Sequence, residues 1–159
     1  MAVALAAVVP LTVAAPKPPP RRFLSVDRRD RTARIVLIAG YDDENSGFNF
    51  DGYARGELQV VVPRRWRVVV RCGNRSPVRH SCAVVRGPMS ARPAFRGATI
   101  PHPRLGLGRG ESASFSFTAT RVGAYRLACL VPGHEEARMW DLLEVVRSGR
   151  PTIRARPGP

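Results

Sequence analysis

CLVPGHEEARM, residues 129–139, sets a thiol, an imidazole and a thioether five residues apart: Cys129, His134 and Met139. All three are soft or borderline metal donors. The chain has few others, with three cysteines, three histidines and three methionines among 159 residues. On one side of the stretch lies AYRLACL (124–130), and on the other MWDLLEVV (139–146), both strand-like in their apolar content. The quoted residues therefore read as one hairpin connection that carries three donors. Pro132 and Gly133 favour a tight turn before His134, which lets the backbone curl around an ion.

Working outward, the chain reads as short strands divided by Gly, Pro, Asn and Asp clusters. The candidates are 34–39 (RIVLIA), 57–62 (ELQVVV), 66–72 (WRVVVRC), 80–85 (HSCAVV) and 112–118 (SASFSFT), followed by the two that flank the loop. SASFSFT alternates small polar residues with phenylalanine, as a half-buried strand does. No segment carries helical periodicity of useful length. The expected class is an all-β sandwich. The stretches 43–56 and 87–110 are long irregular links, and GLGRG (106–110) lacks the strand-to-helix setting of a nucleotide loop and reads as a turn.

A metal loop with three donors needs a fourth from elsewhere. His80 is the best candidate, because it stands between the turn-like NRSPVR and an apolar run, where a strand begins at the rim of a sandwich. Two imidazoles and a thiolate in a trigonal array, with a weak axial thioether, form the donor set of a blue-copper centre. Singly, each residue has a plainer reading: a strand cysteine is usually a small buried hydrophobe, and a methionine at a strand start usually fills the core. The combination of spacing, the upstream histidine and a strand-rich chain outweighs these. Cys72 and Cys82 both read as core-facing, and could pair as a disulfide in an exported protein or stand as two buried thiols. A zinc site from Cys72, His80 and Cys82 lacks a fourth ligand and closely spaced cysteines.

These residues resemble the cupredoxins, and most closely the sulfocyanin-like and rusticyanin-like proteins. The resemblance runs over roughly residues 47–146. It rests on FNFDGYARGELQVVVPRRW, on the spacing of Asn74 and His80, on PAFRGATIPHP, and on the intervals between the last cysteine, histidine and methionine. It implies a cupredoxin-like Greek-key β-sandwich of about 7–8 strands. One type 1 copper ion would be held by His80, Cys129, His134 and Met139. The chain would then carry single electrons between Cu(I) and Cu(II) without turning over a substrate, so it is expected not to be an enzyme. A copper storage or delivery role is the alternative. Around the ligands, Ser81 occupies the position after the strand histidine, where its hydroxyl can bond across to the ligand strand, while Pro132 and Gly133 shape the loop. Arg138 departs from the small residue usual before the methionine. An apolar surround that includes Val131, Pro132 and Trp140, together with a positive surface, is expected to raise the reduction potential.

The rest of the chain sets the context. Of 26 basic residues all but Lys17 are arginine, and with 12 acids the net charge is +14. Arginine in place of lysine throughout is read as coding bias ahead of nucleic-acid binding, since the charge is spread out and no recognition module accompanies it. The charge favours acidic redox partners such as a cytochrome or terminal oxidase, and association with an anionic membrane surface. Residues 1–16 are expected to be an export signal or anchor remnant, 17–32 a Pro/Arg-rich linker, 33–147 the cupredoxin domain and 148–159 a disordered tail. The expected protein is a monomer outside the cytoplasm, whether periplasmic, secreted or at the cell surface, and tethered if the N-terminal segment is kept.

Overall fold

In the computed structural model, residues 16–158 are described, and the apolar segment at 1–15 lies outside them. Nine strands form two sheets. The first has the order β1 (Leu24–Asp27), β2 (Thr32–Ala39), β4 (Arg67–Asn74), β6 (Ser112–Thr118). The second has the order β5 (Ala83–Val85), β7 (Gly123–Ala128), β8 (Trp140–Val146), β3 (Leu58–Pro63), β9 (Thr152–Ala155). Parallel pairing of β2 with β4 and of β3 with β8 sets crossovers between the sheets, while the other pairs are antiparallel.

Residue pattern explains which strand lies where. β2, β4 and β8 alternate buried and exposed positions, so one face of each, such as Ile35, Leu37, Val68, Val70, Leu143 and Val145, closes the core between the sheets. β3 is buried almost throughout because it lies between β8 and β9, and its sequence is correspondingly a run of apolar residues. Phe95 and Phe117 stack at 5.0 Å and Tyr125 tilts against Phe95 at 4.8 Å, which fills the core beside β6 and β7.

Seven of the strands fall where the sequence places them, β6 with the same boundaries and the other six with boundaries shifted by a residue or more. Two do not. The expected linker at 17–32 contains β1, which pairs antiparallel with β2 from Leu24↔Ile35 to Asp27↔Thr32, and it buries Phe23. The expected tail at 148–159 contains β9, which pairs with β3 and is held further by Arg154 Nε donating to Gln59 Oε1 at 2.9 Å. Both are four-residue edge strands with little burial, and their charge is what an exposed sheet edge tolerates. Such strands carry no apolar alternation to read, and only the pairing partner defines them. The expected strand at 80–85 is shorter, because His80 pairs instead with Leu107 in an isolated bridge.

Cys72 on β4 and Cys82 are joined by a disulfide, with Cα atoms 5.9 Å apart. This removes the zinc reading, since neither sulfur remains a thiolate ligand. It also crosslinks the end of β4 to the segment that bears His80. Replacing both cysteines by alanine should lower stability by about 3 kcal/mol, given the short loop that the bridge closes. Chemical denaturation of the copper-free chain measures this, and a change under about 0.5 kcal/mol would show that the bond adds nothing.

Candidate metal centre

Three side chains from two distant parts of the chain converge at one end of the sandwich. His80 enters from the link between β4 and β5, Cys129 ends β7's run, and His134 lies in the loop that follows. Their donor atoms lie within 4.8 Å of one another, and all three residues are buried. His80 Nδ1 faces His134 Nδ1 at 3.1 Å, and Cys129 Sγ lies 3.3 Å from His134 Nδ1. Donors spaced this way fit a single ion with bonds of about 2 Å. Cys129 is the free cysteine among the described residues. The residues present thus suit one copper ion: a thiolate for Cu(I), imidazoles for either oxidation state, and a position that excludes water.

Burial also sets the protonation of these groups. It pushes the Cys129 thiol up, although hydrogen bonds from Ser81 and from the Val131 backbone partly offset this. It pulls His134 down, and pulls His80 down to about 4, with the neighbouring His134 adding to the effect. Both rings are therefore neutral near pH 7 and keep a lone pair for a metal. His80 Nε2 is buried without a hydrogen-bond partner, so packing holds that edge of the ring. Phe48 supplies part of that packing, with its ring edge-on to His134 at 4.9 Å and to His80 at 6.0 Å.

The backbone that carries each donor is fixed separately. Ser81 N–H donates to Cys129 Sγ at 3.2 Å, and Leu130 N–H donates to Ser81 Oγ at 2.8 Å. The expectation that Ser81 links the two ligand segments corresponds to this pair of contacts. Asn74 Nδ2 donates to the carbonyls of Val78 and Leu107, and so holds the turn that delivers His80. Leu107 then exchanges both backbone hydrogen bonds with His80, at 3.1 and 2.6 Å. Gly106 makes this approach possible: a Cβ there would lie 2.8 Å from the His80 carbonyl oxygen, and its φ is +73°. GLGRG is thus a turn, as expected, and one that positions a donor.

The ligand loop is tied at both ends. Gly133 has φ +85°, His134 N–H donates to Val131 O at 3.2 Å, and Met139 N–H donates to His134 O at 2.9 Å. Pro132 precedes that turn, as the sequence suggests. Met139 is fully buried and pairs with Cys129 through its carbonyl, at 3.3 Å. Asn45 Nδ2 donates to Ala137 O at 2.8 Å, which stitches the 43–56 link onto the loop. Glu135, on the same loop, is buried: Arg126 Nη1 reaches Glu135 Oε1 at 2.6 Å while its guanidinium lies 3.9 Å from the Trp140 ring centroid. The ion pair and the cation–π contact brace the loop against β7 and β8. None of Phe48, Asn45 and Arg126 was read from the sequence as a site residue: Phe48 and Asn45 reach the loop from far upstream, and Arg126 meets Glu135 only where the loop folds back on β7.

Arg138 occupies a left-handed backbone position, with φ +63°. A Cβ is disfavoured there by roughly 1 kcal/mol or more. Arg138→Gly should therefore raise the unfolding free energy by up to about 1 kcal/mol while leaving the donors in place. Thermal melts of the two proteins check this, and a lower midpoint in the variant would contradict it.

Comparison with known proteins agrees with this geometry. The sulfocyanin (SoxE) domain family matches residues 19–94, which include His80 but stop short of the ligand loop. Sulfocyanin of Sulfolobus acidocaldarius is 24% identical over 126 residues, covering 72% of this chain, and the chain spans 63% of that protein's length. Among solved structures, auracyanin B is similar with a TM-score of 0.51 at 20% identity, covering 76% of this chain and 93% of the other. Rusticyanin is similar with a TM-score of 0.50 at 18% identity, covering 78% and 86%. In its two-sheet fold the chain is similar to these solved cupredoxins, and in sequence over residues 19–94 it is similar to the sulfocyanin domain family.

Proposed function

We propose that the chain is a mononuclear type 1 copper protein that carries single electrons between redox partners. The observation that carries this reading is the closed, three-donor cluster of His80, Cys129 and His134. Met139 completes the set as the weak axial donor. What supports this role is its burial and the backbone hydrogen bonds that join Met139 to both Cys129 and His134. Copper bound there would supply a one-electron Cu(I)/Cu(II) couple in a site whose ligands are held before the metal arrives. Rigid donors favour electron transfer because little has to move when the charge changes. Release to a storage or delivery partner would need the buried loop to open against its Arg126–Glu135 brace.

His134 is the natural exit for the electron, since it lies at the end of the sandwich beneath a partly apolar surface. Met89 and Leu105 are 57% and 61% exposed, and Pro132 is exposed beside them. A cleft of about 150 Å³ lined by Met89, Arg104, Val131, Pro132 and Glu136 lies against the loop. Such a surface suits brief docking of a small redox protein such as a cytochrome or terminal oxidase. The Cys72–Cys82 disulfide supports a location outside the cytoplasm. No helix among the described residues is long and apolar enough to cross a membrane.

The oxidised, copper-loaded protein should be intensely blue, with a thiolate band near ~600 nm of the kind that a Cu(II)–thiolate bond gives. Cys129→Ser should abolish the colour, and Met139→Leu should keep it while shifting the potential. A colourless copper-loaded protein would remove the reading. Proton counting gives a second check. At pH 7, anaerobic binding of Cu(I) should release about one proton, from Cys129, because burial keeps the thiol protonated and holds both imidazoles below their ordinary range, and so neutral. Calorimetry in buffers of different ionisation heat measures the number. Release of about two or more would mean that the histidines were charged.

A further inference from the structure

The arginines are not spread evenly over the fold. Nine of the 25 gather at the end of the sandwich away from the candidate metal donors. Arg28, Arg29 and Arg31 lie in the β1–β2 turn, and Arg64, Arg65 and Arg67 in and beside the β3–β4 turn. Arg121 lies between β6 and β7, and Arg147 and Arg150 lie between β8 and β9. Every one of them is exposed, and none forms an ion pair among the described residues. The same turns carry two acids, Asp27 and Asp30. The opposite end is mixed, with Asp42, Asp43, Glu44, Glu111 and Glu136 beside its own arginines.

Register brings the strand ends of both sheets together here. In the first sheet Asp27, Thr32, Arg67 and Thr118 pair across one level, and in the second Pro63 pairs with Val146 next to the Gly123–Val145 pair. The turns are then tied together: Arg64 N–H donates to Val146 O at 2.7 Å, Arg65 N–H to Ala119 O at 2.8 Å, and Arg67 N–H to Arg31 O at 2.9 Å. The arginines therefore project from one rigid platform, with Val122 (48% exposed) among them. Strands of up to eight residues at about 3.3 Å each put it roughly 25 Å from the donor cluster. That distance makes it unsuitable as the electron exit.

We propose that this arginine platform docks the protein end-on to an anionic lipid surface and leaves the copper end free for a redox partner. Exposed guanidinium groups on four turns, drawn from both sheets and almost free of acids, form a broad cationic face of the kind that an anionic lipid surface attracts. Arginine stays charged at any relevant pH, so the contact depends on salt and lipid charge. Neither the platform nor its binding requires copper. Docking and electron transfer can therefore fail independently.

The test uses the full chain and two variants of equal net charge. One is Arg28→Gln/Arg64→Gln/Arg147→Gln on the platform, and the other is Arg75→Gln/Arg104→Gln/Arg109→Gln at the copper end. Co-sedimentation is measured with vesicles of phosphatidylcholine, with and without phosphatidylglycerol, at low and high salt, after circular dichroism confirms that each variant folds. The platform variant should bind the anionic vesicles at least about tenfold more weakly than the parent, and the control variant no more than about threefold more weakly. Equal losses would reduce the effect to net charge and overturn the proposal. Salt-insensitive binding to phosphatidylcholine alone would assign membrane contact to the apolar residues 1–15 and overturn it too. Retention on immobilised polyglutamate without any binding to anionic vesicles would overturn it in favour of an acidic protein partner.

Discussion

The contact between Ser81 and Cys129 holds the two halves of the centre together. One ligand comes from the link after β4, and the others from the connection between β7 and β8, nearly fifty residues later. Ser81 bonds to the Cys129 sulfur through its N–H, and accepts from Leu130 N–H through its hydroxyl. Its neighbours add the rest: His80 gives a donor, and Cys82 bonds to β4. Three consecutive residues thus provide a ligand, a clamp and a crosslink. A buried thiol without such hydrogen bonds would be harder to ionise, since burial alone opposes the charged form. The clamp therefore serves geometry and electrostatics together.

Around this contact the fold separates rigidity from exposure. The donors sit among groups fixed by backbone bonds, by Phe48 and by the Arg126–Glu135 pair, while the surface above His134 carries exposed apolar residues. Nearby, two carboxyls are taken out of water. Asp51 accepts from Ile38 N–H and Asp141 from Leu58 N–H, and burial pushes both well above the usual carboxylate range. Their job is structural: they satisfy backbone donors where the FNFDG segment and the start of β3 meet the core. Charge is kept to the periphery, and its uneven placement gives the molecule a strongly basic end and a mixed one.

Much of the centre was legible because its residues are chemically unusual. CxxxxHxxxxM marks its own loop, and His80 stands at a strand start in a chain with only three histidines. The buried strands were legible through alternation or apolar runs. The edge strands β1 and β9 were not, since they are short, charged and little buried, and are strands only by virtue of β2 and β3 beside them. Glu135 shows the same limit from the other side. In sequence it is one of two acids on a loop, whereas in the fold it is buried against Arg126, and its neighbour Glu136 stays exposed.

The sequence by itself determined the donor types, their spacing within the loop and the strand-rich class, because these follow from side-chain chemistry and short-range periodicity. Tertiary structure decided how His80 meets the loop, whether Cys72 and Cys82 bond, which glycine lets Leu107 approach His80, and which arginines share one face. Each of these is a distance between residues far apart in the chain, fixed by strand register and sheet packing, and no local pattern encodes it.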